Sequence, residues 1–345
     1  MSMMASVTSL QSKLFNNVVK PAAPLLNIIL PAKGIQCPRS DSAVIRKYIS
    51  VHQKNYSNGV EITPTIHPFF SGGDIAPQVE AQIVALHAMK DDQHLVHHQS
   101  DPFGCLTGRD VIRGPSLAGV KKVFWPYLLA PAQGNRYALV DYSSQEPAIA
   151  ACFAGDKGLQ AAYQQGDLYE QIGKHPRLAS LGRGELKAAV LPYSYGQRSE
   201  AYAKEHDIPV TEAQRRWYAL REIFHLVDAE LNRRSQLAFR DGFVRCLDWG
   251  AHVTPLSNPR AVRNWPVQAA GADIMRRAVI GLYDAGIDLR LTIHDAFLIR
   301  VPVAETEQQV AKAIAVLRRA SALVLGGFEL NVKVDGLFDG QAGVM

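Results

Sequence analysis

Arg183, Lys187, Leu191 and Tyr195 recur every fourth position, and helical geometry places such residues on one slowly drifting face. Two cations followed by an apolar and an aromatic side chain suit a nucleoside triphosphate, with the guanidinium and ammonium on the phosphates and the remaining surface against sugar and base. A surface helix with a buried Leu/Tyr edge has the same spacing. Two carboxylates bracket this segment, Asp141 upstream and Asp295, 154 positions later in the chain. Each stands where a short strand would project it from a sheet edge, although an aspartate in either context also serves as a turn or cap residue.

These side chains need strands that end at the carboxylates and a helix between them. Residues 136–143 (RYALVDYS) read as a strand running into Asp141. Two short strands, 289–293 and 297–301, flank His294-Asp295-Ala296, a tight turn that lifts a carboxylate to a hairpin tip. Residues 167–203 are helical in bias. Pro209-Val210-Thr211 opens a long helix in which Thr211 and Gln214 have capping-box spacing, and Trp217, Leu220, Phe224, Val227 and Leu231 form one apolar stripe. Its other face carries Arg215, Arg216, Arg221, Arg233 and Arg234, which suits a solvated face or a phosphate backbone. Residues 242–255 read as a hairpin, and 76–90, 268–285 and 305–325 as helices, the second burying Ile274, Ala278 and Leu282; 328–334 is a final alternating strand. The sum is an α+β arrangement of mostly antiparallel strands backed by helices.

In their order along the chain these pieces resemble the DNA polymerase I-like (family A) DNA polymerases. The first palm motif of that family is similar to Asp141-Tyr142-Ser143-Ser144-Gln145-Glu146. Its fingers motif is matched by Arg183, Lys187, Tyr195 and Gly196. The Arg-x3-Asn-x-Pro-x-Gln block is matched by Arg260, Asn264, Pro266 and Gln268, followed by Ala272-Asp273. Its last palm motif, His-Asp-Glu, is present as His294-Asp295-Ala296, and Thr107-Gly108-Arg109 with Pro115-Ser116-Leu117 resembles a worn upstream segment. The resemblance covers about residues 105 to 345 with similar spacing throughout.

The resemblance implies a right-hand architecture: an antiparallel palm and helical fingers in 106–345, the fingers at about 156–240, a reduced thumb-like region at 41–105, and a flexible basic leader at 1–40. It implies template-directed addition of deoxynucleotides to a primer 3′-hydroxyl without a proofreading exonuclease. Asp141, Asp295 and the backbone carbonyl of Tyr142 would hold two Mg²⁺ ions, with Mn²⁺ as a possible substitute. Arg183 and Lys187 would clamp the triphosphate, Lys187 also protonating the leaving pyrophosphate. Glu146 would fill the space a ribose 2′-hydroxyl needs, Leu191 would lie at the sugar, and Tyr195 would stack near the templating position. Arg109, Arg260, Asn264 and Gln268 would touch the primer-template minor groove, whose acceptors are alike for every correct pair, and His294 would sit beside the primer end. Primer-template DNA and deoxynucleoside triphosphates are the implied partners, with a processivity factor to supplement a small thumb.

Three departures modify this expectation. Ala296 replaces the family's Glu, so weaker activity or a stronger dependence on Mn²⁺ is expected. Pro192 lies inside the fingers helix, where its ring meets the carbonyl of Ala188 and a kink is expected. Leu191 stands where an aromatic residue is usual, which bears on discrimination at the sugar 3′ position. The missing Glu is also the pattern of single-subunit RNA polymerases, against which Glu146 and the 260–273 block weigh. A primer-template-binding relic without catalysis is the other alternative; retention of both Asp, both phosphate cations and Glu146 weighs against it.

Composition bounds the rest. The 345 residues are 47% hydrophobic and 20% charged, which excludes a disordered chain and a disulfide-stapled miniprotein. A net charge of +5 permits a polyanionic partner without demanding one. Cys37, Cys105, Cys152 and Cys246 are far apart with no CxxC pair, so a zinc ribbon is not expected and a reducing, cytoplasmic compartment fits. The first 40 residues hold Lys13, Lys20, Lys33 and Arg39 but no Asp or Glu, which leaves an organellar transit peptide as the alternative. The apolar stretch 21–32 is broken by prolines and falls short of the roughly 20 residues of a membrane span, so no membrane association is expected.

Overall fold

The computed structural model describes residues 35–36, 43–66, 76–245 and 250–340. Nearly all of the expected leader, Cys37, Cys246 and the tip of the 242–255 hairpin lie outside the described residues.

A four-stranded antiparallel sheet forms the centre: β1 (Asn135–Tyr142), β2 (Asp288–Ile293), β3 (Ala296–Pro302) and β4 (Val332–Phe338), in the order β4-β1-β3-β2. Side chains alternate across a strand, and along β1 the alternation divides two apolar layers. Tyr137 and Leu139 belong to one, Ala138, Val140 and Tyr142 to the other, and all five are buried. The Tyr137 layer is completed by the upstream third of the chain: Val60, Ile62, Val96, Leu117, Trp125 and Leu128, with Ile83 and Leu86.

The opposite layer is helical. The helices are α1 (Ala43–Ser57), α2 (Pro77–Ala88), which carries Ile83 and Leu86, α3 (Gln145–Ala154), α4 (Lys157–Gln164), α5 (Leu168–Gly173), α6 (Arg183–Ser194), α7 (Ser199–Glu205), α8 (Val210–Ile223), α9 (His225–Asp241), α10 (Pro259–Asp284) and α11 (Thr306–Val324). All of them except α2 bury residues in the Ala138–Val140 layer. The α+β class and the antiparallel sheet expected from the sequence are the ones observed.

Several boundaries differ from expectation for identifiable reasons. The long helix from Pro209 is two helices, because Phe224 adopts φ −95° and ψ 15° and serves both as the end of α8 and the start of α9. The five-residue apolar stripe survives the break, since Trp217, Leu220, Phe224, Val227 and Leu231 are all buried. Thr211 does not cap α8; Pro209 occupies the N-cap position, and its carbonyl accepts from the Glu212 and Ala213 amides. The arginines opposite are largely tied to their own helices. Arg215 and Arg216 pair with Glu212, and Arg233 and Arg234 with Glu230, which favours the solvated-face reading.

Helix α10 starts nine residues before Gln268, at Pro259, with the Asn258 side chain accepting from the Arg260 amide, a cap-and-proline start that the apolar period did not reveal. The last strand begins at Val332 rather than Phe328. Gly326 and Gly327, at φ 66° and 101°, turn the chain after α11. The Leu330 amide then donates to Ser321 Oγ and the Asn331 amide to Tyr163 Oη, so these donors are spent on side chains and the ladder starts one residue later.

The most deeply buried charge pair pins α10 to the upstream third. Asp273 and Arg276 are 1% and 2% exposed and form a hydrogen-bonded ion pair. The Arg276 guanidinium also donates to the Gly108 carbonyl at 2.6 Å and lies 4.6 Å from the Phe103 ring centroid. Removing one partner strands a charge in the core. Asp273→Ala is therefore expected to destabilise the fold by about 3–5 kcal/mol in chemical denaturation, and a loss below about 1 kcal/mol would contradict this role.

Candidate active site

The antiparallel pairing of β1 with β3 sets Ala296 opposite Asp141 and brings the β2–β3 turn to the end of β1. The Tyr142 amide donates to the Asp295 carbonyl at 3.2 Å, which ties the turn to the strand. His294, at φ 55°, supplies the left-handed residue of the two-residue turn. Asp141 and Asp295 are thereby brought to one rim.

Both carboxyls are held above their ordinary range. Burial, with the Asp295 charge adding to it, pushes Asp141 up to about 7, and Lys333 opposes the rise. Asp295 is raised by burial above all, while a hydrogen bond to its own backbone and the Lys187 ammonium pull it back. Asp141 Oδ1 is buried with no hydrogen-bond partner, and Oδ2 lies 3.4 Å from Lys333 Nζ. Two partly buried carboxylates that repel each other, one with an orphaned oxygen, are a donor set suited to a hard divalent cation. Among the described residues no group of three or more His, Cys, Asp or Glu gathers as a metal cluster. Tyr142 lines the cavity, while its ring is buried against Phe297 and its hydroxyl donates to the Leu317 carbonyl at 2.6 Å.

Beyond β1 the chain turns at Ser144, whose φ of 47° breaks the strand and starts α3. Glu146 falls in the first turn of that helix, where it accepts from Arg109 and, at 2.6 Å, from the Tyr195 hydroxyl. Gln268 Nε2 donates to the same hydroxyl at 3.1 Å. A polar chain, Arg109–Glu146–Tyr195–Gln268, thus joins four separate segments across the mouth of the site.

Helix α6 faces the carboxylates and continues through Pro192, which sits in its last turn. Arg183, Lys187, Leu191 and Tyr195 line the same 790 Å³ cavity as Asp141, Glu146, His294 and Asp295. Arg183 is held back by Asp167, whose Oδ2 is 2.7 Å from its Nε, and its guanidinium lies 5.6 Å from the Tyr169 ring centroid. Asp167 in turn caps α5 by accepting from the Tyr169 amide.

The minor-groove candidates are dispersed. Arg109 lines the cavity but is spent on Glu146. Gln268 sits beside Thr107 and Trp265 on a neighbouring open groove. Arg260 is exposed and packs over Gly196, its Cγ 3.5 Å from where a Cβ would project. Asn264 is buried and lines a separate small cavity behind Leu191, with Pro147 and Phe224.

Asp167, Tyr169 and Lys333 line or bound the site and escaped the sequence reading. Asp167 was visible only as the start of a helical stretch. Tyr169 stands in that stretch beside no recognisable motif. Lys333 depends on a strand register that local pattern does not encode.

The raised Asp141 carboxyl has a thermodynamic consequence. Between its unfolded value near 4 and its folded value of about 7, the folded metal-free chain binds a proton that the unfolded chain has released, so stability declines as pH rises through this window. A divalent cation bound at Asp141 would replace that proton. Thermal melts are therefore expected to show a larger Mg²⁺-induced rise in Tm at pH 8 than at pH 5.5, and Asp141→Asn should remove the difference.

Comparison with known proteins places the chain in a family. The profile of DNA polymerase family A matches residues 78–336. The DNA polymerase of Mycobacterium phage L5 is 25% identical over 252 residues, covering 70% of this chain and 41% of that protein. The thermostable DNA polymerase I of Thermus thermophilus is 28% identical over 212 residues, covering 55% of this chain and 25% of that protein. The chain thus matches well under half the length of these relatives. Among solved structures, the POL domain of Pol1 from M. smegmatis, in complex with DNA primer-template and dNTP, superposes with a TM-score of 0.67 at 22% identity, over 77% of this chain and 52% of that one. With three quarters of its residues inside the profile, the chain belongs to DNA polymerase family A.

Proposed function

We propose that this chain is a template-directed DNA polymerase that extends a primer 3′-hydroxyl with deoxynucleotides. One observation carries the reading: Asp141 and Asp295 share a rim facing the Arg183–Lys187 edge of α6 across a single cavity. Two divalent cations, Mg²⁺ or Mn²⁺, held by Asp141, Asp295 and the Tyr142 carbonyl would lower the pKa of the attacking hydroxyl and neutralise charge on the triphosphate.

The protein's own groups do the rest. Arg183 leaves Asp167 to clamp the phosphates, and its fork geometry suits bidentate contact. Lys187, close enough to Asp295 to bias its titration, donates a proton to the departing pyrophosphate. Glu146 is fixed at both oxygens by Arg109 and Tyr195, so it presents a rigid obstacle where a ribose 2′-hydroxyl would lie. Leu191 and Tyr195 offer a surface for sugar and base, and His294 adjoins the primer end. Residues 156–240 serve as fingers and 41–105 as a thumb-like support, with low processivity unless a partner protein encircles the duplex. Ala296, opposite Asp141, favours a second reading as a binding relic.

Primer extension separates these readings. The wild type is expected to extend a primed template, Asp295→Ala to be inactive, and Lys187→Ala to lose about 10²–10⁴-fold in kcat; wild-type inactivity with retained DNA binding would favour the relic. Glu146→Ala should raise ribonucleotide incorporation relative to deoxynucleotide. Shortening of a mismatched primer in the absence of dNTPs would contradict the expected lack of excision.

A further inference from the structure

Asp141 is the middle of a row of three residues that crosses the sheet. Its partner on β3 is Ala296, and its partner on β4 is Lys333. Directly opposed residues in antiparallel strands share a face, so all three side chains crowd one edge. One neighbour of the carboxylate is a methyl group; the other is a cation.

The ammonium is not placed by Asp141 alone. Lys333 Nζ lies 3.4 Å from Asp141 Oδ2 and 3.4 Å from Asp335 Oδ1. Asp335 is anchored by Lys122, whose Nζ is 2.6 Å from its other carboxylate oxygen and donates to its main-chain carbonyl at 2.8 Å. The result is an alternating ladder, Lys122–Asp335–Lys333–Asp141, running from the surface to the rim. Lys333 therefore has a fixed second carboxylate to fall back on if Asp141 takes another partner.

We propose that Lys333 is a positioning residue of the carboxylate site, a resident cation that competes with a divalent metal for Asp141 and sets how weakly the nucleotide-free chain holds that metal. The inference rests on the proposed polymerase reading of the site. Its physical content is Coulombic. A fixed positive charge one carboxylate away from a divalent ion repels it, and no carboxylate at position 296 offsets the repulsion. With nucleotide bound, the triphosphate supplies the missing negative charge, so metal and nucleotide favour each other's binding.

The test measures Mn²⁺ binding to the full chain without nucleotide, by the electron paramagnetic resonance signal of the free ion. Lys333→Met keeps the side chain's length and removes its charge, and it is expected to bind Mn²⁺ about tenfold more tightly than wild type. Lys333→Arg restores the charge and should stay within about threefold of wild type. Equal melting temperatures of the variants in chelator guard against a folding effect. Unchanged or weaker binding by Lys333→Met, with wild-type binding still abolished by Asp141→Asn, overturns the inference and leaves the polymerase reading intact. Wild-type Mn²⁺ binding that does not depend on Asp141 overturns both.

Discussion

Two like charges held together in a partly desolvated rim are the constraint around which this molecule is arranged. Burial raises the proton affinity of both carboxyls and the Asp295 charge raises that of Asp141 further, and neither effect can be relieved by moving one away, because Asp141 lies at the end of a central strand and Asp295 tips the hairpin paired with it. The surrounding groups answer that field. Lys333 stands on one side of Asp141, Lys187 on the other side of Asp295, and Arg183 further along α6. The scaffold is stiff where stiffness is needed: β1 is covered on both faces, and Tyr142, immediately after Asp141, is locked through its hydroxyl to α11.

The α6 side of the cavity is built differently. Arg183 and Lys187 are exposed on a helix, and the arginine is paired with Asp167. Exposed ion pairs contribute little to stability, so the Arg183–Asp167 pair can part at little cost. Glu146 has the opposite character: two strong hydrogen bonds from two different segments hold it, and its partner Tyr195 is itself held by Gln268. One side of the cavity is thus held rigid, and the other carries its cations on an exposed helix face.

Local periodicity located much of this framework. The strand into Asp141, the hairpin around Asp295 and the helix burying Ile274, Ala278 and Leu282 were legible because each has a period set by neighbours two to four positions away. The α8–α9 break was not, because Phe224 keeps its place in the apolar stripe while its backbone leaves the helix. The start of the last strand was missed for a related reason, since Leu330 is as buried as a strand residue but donates its amide to Ser321.

Residue types and spacing brought out two aspartates and a cationic helix face as candidates, and the resemblance to family A polymerases joined them, with Glu146 five residues after the first aspartate, into one expected chemistry. The first step was possible because helical and strand periods turn sequence distance into direction. Only the tertiary structure decided that Asp141 and Asp295 share a rim, that Asn264 turns into a separate cavity, and that Lys333 rather than a carboxylate flanks Asp141. These facts depend on which strand lies beside which, and in what register. Pairing of segments nearly two hundred residues apart is settled by the burial of both faces of the sheet at once, a condition that no window of the sequence contains.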